Sequence, residues 1–307
     1  MKKVVIISGP TAVGKTNISI KLAKALNGEI ISADSVQVYR GMDIGSDKIK
    51  PAQMQGIEHY LVDCLNPDEE FDVSVFQRMA GEAIDAICAK GKLPIIVGGT
   101  AFYIQALLYG VDFTGEDHDD SFRNEASLLD EDTLYEKLKE VDPVYASTVH
   151  KNNKKRVIRA LEYNHYTGGL FSEYNGEQSK KEPVYDFRYF VLNDERQKLY
   201  DRIERRVDEM VNEGLVDEVK SLLEKGYDRN LVSMQGIGYK EICGFLQDEC
   251  TLDEAVELIK KNTRHFAKRQ LTWLRHEEET IFINKPDYDY DDDKIVEEMK
   301  RIIGDLS

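Results

Sequence analysis

The octapeptide Gly9-Pro10-Thr11-Ala12-Val13-Gly14-Lys15-Thr16 sets two glycines, a lysine and a hydroxyl at the spacing Gly-x4-Gly-Lys-Thr. Glycines let successive backbone N–H groups converge on phosphate oxygens, and the N-terminus of a following helix adds partial positive charge. Lys15 supplies a mobile full charge, and the Thr16 hydroxyl can ligate Mg2+. A nucleotide-hydrolysing enzyme built on such a loop usually holds its metal with an acid at the end of a second apolar strand. Here the run LPIIV ends in Gly98-Gly99-Thr100, without an acid. The nearest candidate is Asp34, at the end of EIISAD (29–34). Three roles stay open to it: metal partner, base for an incoming nucleophile, or cap of the following turn. Thr100, taken alone, reads equally as a turn residue and as a catalytic donor.

The elements that must position these groups follow from periodicity. KVVIISG reads as a short buried strand, then a Gly-rich turn and a helix from about Lys15 to Leu26. EIISAD is a second strand, 73–91 carries helical periodicity with a Gly stop, LPIIVGGT (93–100) is a third strand, and a helix follows over Ala101 to Leu108. Strands alternating with helices indicate an α/β fold, a parallel sheet flanked by helices. After Phe113 the sequence turns charged and mostly helical through about 184, and YTGGLFSEYNGEQSKKEP (166–183) suits a mobile loop. YDFRYFVLN (185–193) is again strand-like, and helices are expected at about 194–213, 214–225 and 253–276. The expected organisation is a core of 1–112 and 185–307 with an inserted helical subdomain at 113–184.

Bulk properties bound the rest. The 307 residues are 41% hydrophobic and 32% charged, enough for a substantial core. No run of about 18 apolar residues is present, and the N-terminal apolar stretch lacks a cleavage site, so we expect a cytoplasmic protein with no membrane partner, acting as a monomer. Cys64, Cys88, Cys243 and Cys250 form no CxxC pair and read as buried thiols. A net charge of −16 speaks at first against nucleic acid, but the acids cluster: twelve lie in 112–142 and eight in 277–293. The tail DYDYDDDK (287–294) reads as a solvated acidic patch. Basic residues cluster elsewhere. KNNKKRVIR (151–159) carries Lys151, Lys154, Lys155, Arg156 and Arg159 with no acid. In the helix 253–276, Ala255, Ile259, Phe266 and Trp273 project to one face and Lys261, Arg264, Lys268 and Arg275 to the other. Trp273 is therefore expected in the core.

Taken together, the ordered motifs resemble the tRNA dimethylallyltransferases (tRNA isopentenyltransferases) of the bacterial type. The resemblance runs through GPTAVGKT, DSVQVYRGMDIGS (34–46), GIEHYLVD (56–63), FDVSVFQ (71–77) and PIIVGGTAFYIQALLYG (94–110). It continues through KKRVIRALE (154–162), YDRIERRVDEMVNEGLVDEV (200–219), SMQGIGYKE (233–241) and TRHFAKRQLTWLR (263–275). Residues 112–150 and the acidic tail match loosely. Val36 stands where Met is common, Ala101-Phe102 replace a common Gly-Leu, and the runs KNNKKR and GGLFSE depart from the usual pattern. No Cys/His zinc module follows the core.

The resemblance implies a kinase-like phosphate-loop core with a helical insertion, in which the loop Gly9 to Thr16 holds dimethylallyl diphosphate instead of ATP. It implies transfer of the dimethylallyl group to N6 of adenine 37 of tRNA, next to the anticodon. Lys15, Thr16 and Mg2+ would neutralise the departing diphosphate, Asp34 would accept a proton from, or hydrogen-bond to, the attacking amine, and Thr100 would orient the reacting groups. Arg202 is the arginine assigned to the diphosphate, with Arg205 and Arg206 as alternatives. Asp34, Ser35, Val36, Gln37 and Thr100 would meet the flipped adenine. Arg123, Lys154, Lys155, Arg156 and Val157 would contact tRNA. Gln53, His59 and Gln235 are possible site-lining groups. Two other readings compete: a nucleotide or small-molecule kinase using ATP on the same loop, and a non-catalytic RNA-binding protein whose loop senses phosphate. The acid-free LPIIVGGT strand counts against the first, and Asp34 beside the loop is unneeded by the second.

Overall fold

The computed structural model describes residues 1–111, 121–178, 181–277 and 279–304, so the expected core–insertion boundary at 112/113 lies outside the described residues. Two compact units emerge, Met1–Leu108 with Tyr185–Ser307, and Tyr109–Val184. In chain order the first unit begins with β1 (Lys3–Ser8), α1 (Lys15–Ala25), β2 (Gly28–Ser32), β3 (His59–Tyr60), α2 (Val73–Ala89), β4 (Leu93–Val97) and α3 (Ala101–Leu108). The second unit holds α4 (Ser121–Ser127), α5 (Glu131–Val141), α6 (Pro143–Ala146), α7 (Lys154–Thr167) and α8 (Phe171–Gln178). The first resumes with β5 (Asp186–Asn193), α9 (Arg196–Asn212), α10 (Leu215–Glu224), α11 (Tyr239–Leu246), α12 (Leu252–Leu274), β6 (Thr280–Asn284) and α13 (Asp292–Gly304).

The six strands form one parallel sheet in the order β3-β2-β4-β1-β5-β6. β1 is central, and every residue after Lys3 is buried, which is why it reads as an unbroken apolar run. Val5, Ile7, Ile18, Leu22, Ile95, Phe190 and Leu192 pack from strands and α1 into one core. In such sheets ligands bind beyond the carboxyl ends of the strands. Those ends here carry the phosphate loop after β1, Asp34 after β2 and Gly98-Gly99-Thr100 after β4.

Three expectations change. Residues 171–178 form α8, with Phe171 buried against Tyr145 and Tyr163; burial of that ring overrides the local Gly content. The tail is not simply solvated surface. Asp292 opens α13, whose Ile295, Val296 and Met299 join the core, and its carboxylate pairs with Lys285 at 3.3 Å. Trp273 and Phe266 are not core: they are 38% and 36% exposed, and the buried face of α12 is Ala255, Ile259, Ala267, Gln270 and Leu274. Small Ala267 and polar Gln270 let the helix approach the phosphate loop closely, which the large rings could not do. Among the described residues, no helix is long and apolar enough to cross a membrane.

Candidate active site

The phosphate loop leaves β1 through Gly9, whose φ of 143° belongs to glycine, and a Cβ there would stand 2.5 Å from the Leu192 carbonyl. Ala12 (φ 61°) and Gly14 (φ 94°) complete the left-handed turns. Gly14 caps α1 with no side-chain hydrogen bond, and the first turn carries no acid. Its N–H groups thus face outward with the positive end of the helix dipole behind them. Thr16 is exposed at that turn.

Long-range hydrogen bonds fix this loop from behind. The Gln270 carboxamide of α12 accepts from Thr11 N–H at 2.9 Å and donates to Gly99 O at 3.0 Å. A single buried side chain therefore ties the loop to the strand end that carries Thr100. A Cβ on Gly98 would meet Ala33 O at 2.1 Å, so backbone packing requires that glycine, and one on Gly99 would meet Gln270 Nε2 at 2.1 Å and push that side chain from its place. Gln270 occupies Thr11 N–H and Pro10 O accepts from Val13 N–H at 3.4 Å, so those two amides are engaged and the amides at the start of α1 are left for phosphate. Gln270 was not anticipated from sequence. The available signal was a polar residue at a buried helical position, within the buried series Ala267, Gln270 and Leu274.

Arg202, assigned to the diphosphate from sequence, is differently placed. Its Nε donates to Ala12 O at 2.9 Å and its Nη2 pairs with the fully buried Asp194. It braces the loop backbone. Arg206, one turn later on α9, pairs with Asp47, and its buried Nε has no hydrogen-bond partner among the described residues. Arg206 also feels the charge of Asp34, as does Lys15. Arg205 is exposed.

Lys15, Asp34 and Arg206 thus share one electrostatic neighbourhood. Lys15 donates to Gly9 O and Pro10 O at 3.0 and 2.9 Å. Burial pushes its ammonium down to about 8, Asp34 offsetting part of the fall and Arg206 adding to it. Burial likewise takes Arg206 down to about 10, again partly offset by Asp34. Asp34 Oδ1 accepts from Val36 N–H at 2.9 Å and Gln37 N–H at 3.2 Å. The turn-capping role is therefore real, and it uses one oxygen, leaving Oδ2 for chemistry. Ser35 is exposed, Val36 half-buried, and Gln37 donates to the carbonyls of Ser46 and Asp47. Thr100 opens α3, where its carbonyl accepts from Tyr103 and Ile104 N–H.

A groove of about 850 Å³ lies along α12 and α3, lined by His265, Lys268, Arg269, Trp273 and His276 among others. Trp273 meets Phe102 edge to face at 6.2 Å, and both rings are partly exposed. Basic side chains around an exposed aromatic surface suit a nucleic-acid strand. Arg264, expected on the basic face of the same helix, pairs with Glu204 at 2.6 Å.

A profile of IPP transferases matches residues 37–277. The tRNA dimethylallyltransferase of Lachnoclostridium phytofermentans is 55% identical over 99% of this chain and 98% of its own. That of Acetivibrio thermocellus is 48% identical over 98% and 97%. The chain belongs to the IPP transferase family. Its fold agrees: the full-length tRNA isopentenylpyrophosphate transferase of Bacillus halodurans matches at TM-score 0.76 and 42% identity, over 99% of this chain and 96% of that one. A eukaryotic dimethylallyltransferase solved acting on tRNA matches at TM-score 0.81 and 32% identity, over 92% and 74%.

In this IPP transferase the inserted unit, considered by itself, sorts the remaining sequence candidates. Lys155 and Arg156 are exposed and have no ion pair among the described residues. Lys154 is engaged, donating to the carbonyls of Ser127 and Leu129 at the end of α4. Arg123 pairs with Glu162 at 2.9 Å. Val157 departs from the expectation: its side chain is 0% exposed among Leu134, Leu138 and Leu161, so it serves the core and not RNA. In the core unit, His59 and Gln235 bond the nearby carbonyls of Ile57 and Arg229, and Gln53 accepts from Lys50 N–H, so each of the three has a local backbone partner.

Proposed function

We propose that this IPP transferase moves a dimethylallyl group from dimethylallyl diphosphate to N6 of a tRNA adenine beside the anticodon. The observation that carries the reading is the gathering of Lys15, Arg206 and Asp34 beside an uncapped helix N-terminus. Two cations and the loop amides suit a diphosphate leaving group, and the carboxylate suits a nucleophile that must lose a proton. The bond between the allylic carbon and the diphosphate oxygen breaks while the bond to N6 forms. Negative charge grows on the diphosphate, where Lys15 and Arg206 stabilise it most as it develops. The N6 proton passes to Asp34 Oδ2. Thr100, tied to the loop through Gln270 and Gly99, orients the amine.

Mg2+ fits with one protein ligand. Thr16 offers an exposed hydroxyl at the first turn, and among the described residues no group of three or more His, Cys, Asp or Glu side chains could hold a metal alone. The ion would share diphosphate oxygens and neutralise their charge, as Mg2+ does when it keeps few protein ligands. For tRNA, the groove with Lys268, Arg269 and Trp273 supplies positive charge and a stacking surface, and Lys155 and Arg156 supply phosphate contacts from the inserted unit. The acting form is a cytoplasmic monomer.

The test is direct. Incubation with unmodified bacterial tRNA, Mg2+ and dimethylallyl diphosphate, followed by mass analysis of the digested nucleosides, should yield N6-isopentenyladenosine. ATP in place of the prenyl donor should yield nothing; a phosphorylated product would favour a kinase. Asp34→Ala should abolish turnover while tRNA still binds, and unchanged turnover would remove Asp34 from the mechanism.

A further inference from the structure

Arg206 has an internal anion beside it that the reaction does not require. Asp47 pairs with its guanidinium, while about half of the Asp47 side-chain surface (55%) stays open to solvent. The pairing is built rather than incidental, because the backbone is pinned on both sides of Asp47. On one side, Glu218 of α10 accepts from the N–H groups of Asp43, Ile44 and Gly45 at 3.0, 2.8 and 3.1 Å, and from Tyr239 Oη at 2.8 Å. On the other, the buried Lys48 ammonium holds Tyr39 O, Asp43 and Asp63 within 2.6 Å. Asp47 itself sits at φ 50°, with its carbonyl held by Gln37. This frame delivers a carboxylate to Arg206 and leaves that carboxylate an easy exit to water.

We propose that Asp47 is a competitor for Arg206, an internal carboxylate that the diphosphate must displace, so that it sets how tightly the loop grips its ligand. The proposal rests on the diphosphate reading above. Its geometry has a parallel in Lys15, whose ammonium is also engaged by acceptors of its own chain, Gly9 O and Pro10 O. Both cations that feel the charge of Asp34 are thus held by acceptors of their own chain, Arg206 by a carboxylate and Lys15 by carbonyls. Two unpaired cations at close range would repel, and burial already disfavours their charge. Exchanging Asp47 for a diphosphate oxygen keeps Arg206 paired throughout and releases Asp47 to solvent at small cost, since its carboxylate is already about half open to water. The same exchange run backwards helps product leave: after transfer, Asp47 can reclaim Arg206.

Calorimetric titration of the full chain with inorganic pyrophosphate reads this without prenyl donor or tRNA. Asp47→Asn should tighten pyrophosphate about two- to fivefold, the order expected when one partner of the pair is half open to solvent, and Asp47→Ser should do the same. Asp47→Glu should return affinity toward the parent value. In an Arg206→Met background, Asp47→Asn should change nothing, because there is no guanidinium to compete for. Unchanged or weaker binding in both Asp47→Asn and Asp47→Ser, at an unaltered melting temperature, would overturn the proposal. So would an equal gain in the Arg206→Met background, which would mean simple repulsion between carboxylate and ligand. Absence of pyrophosphate binding by the parent chain would instead remove the diphosphate reading, and this proposal with it.

Discussion

The phosphate-loop site and the inserted helical unit handle charge in opposite ways. Around the loop, polar groups are matched by partners far away in sequence: Thr11 with Gln270, Ala12 with Arg202, Arg206 with Asp47. In the inserted unit, engaged cations meet partners nearer in sequence, such as Lys139 with Glu136 at 2.7 Å and Lys151 with Asp132 at 2.6 Å, and Lys155 and Arg156 face water. The first arrangement fixes donors before the ligand arrives, so little reorganisation is needed at the moment of reaction. The second offers a field that acts through solvent and weakens with salt. The difference separates geometry from affinity within one enzyme.

Breaking the fixed side should cost most. Gln270→Ala leaves the Thr11 amide and the Gly99 carbonyl without their partner, at about 1–3 kcal/mol for unsatisfied buried groups. That corresponds to a roughly five- to 150-fold fall in kcat/KM for dimethylallyl diphosphate. Gln270→Glu keeps the acceptor for Thr11 and loses the donor to Gly99, so it should fall between. Steady-state kinetics with the prenyl donor varied would check this, and an unchanged kcat/KM in the alanine variant would show that the tie is dispensable.

A smaller effect should follow on the solvated side. Lys155→Ala and Arg156→Ala should each raise KM for tRNA a few-fold and reduce the salt slope of tRNA binding by about one contact. Pyrophosphate affinity should stay put. Filter binding across a salt series measures the slope, and a variant that alters pyrophosphate binding as strongly as tRNA binding would erase the distinction between the two regions.

The smallest and most diagnostic effect is on pH. The Lys15 ammonium titrates near 8 in the folded chain against 10.5 in the unfolded one. Below 8 the folded chain carries the full cost of the buried charge; between 8 and 10.5 the unfolded chain binds more protons, so that cost is relieved and stability grows as pH rises. The grip on phosphate moves the other way, because the deprotonated amine no longer attracts anions. Measured from pH 7 to 9, unfolding free energy should rise relative to Lys15→Arg while pyrophosphate affinity falls. Parallel movement of both quantities would contradict the buried, anion-binding placement of Lys15.

Much of this was legible in the chain itself. The phosphate loop was readable because its function lies in the backbone, and Gly9, Gly14 and Lys15 record that backbone locally. The strands β1, β2, β4 and β5 announced themselves as apolar runs too short for buried helices, and α1, α2 and α3 fell near their expected bounds. By contrast, β3 has two residues and β6 five of mixed burial, too little pattern to detect. Trp273 was misplaced by helical projection, which finds the apolar face but not the size limits of whatever packs against it. Val157 was misplaced for the converse reason: a basic run draws the eye, yet its apolar member belongs to the core.

What the sequence determined by itself was the chemistry on offer, a phosphate-gripping loop with a carboxylate nearby and basic surfaces elsewhere, because those traits reside in residue type and short-range spacing. Only the tertiary structure decided which arginine shares the neighbourhood of Asp34 and Lys15. Arg202 and Arg206 lie one helical turn apart on the same face of α9, and nothing in their local sequence distinguishes them. The distinction arises because Ala12 and Asp194 stand beside one and Asp47 beside the other. Such neighbours are set by how the sheet and its helices close in space, and that closure is a property of the whole packed chain.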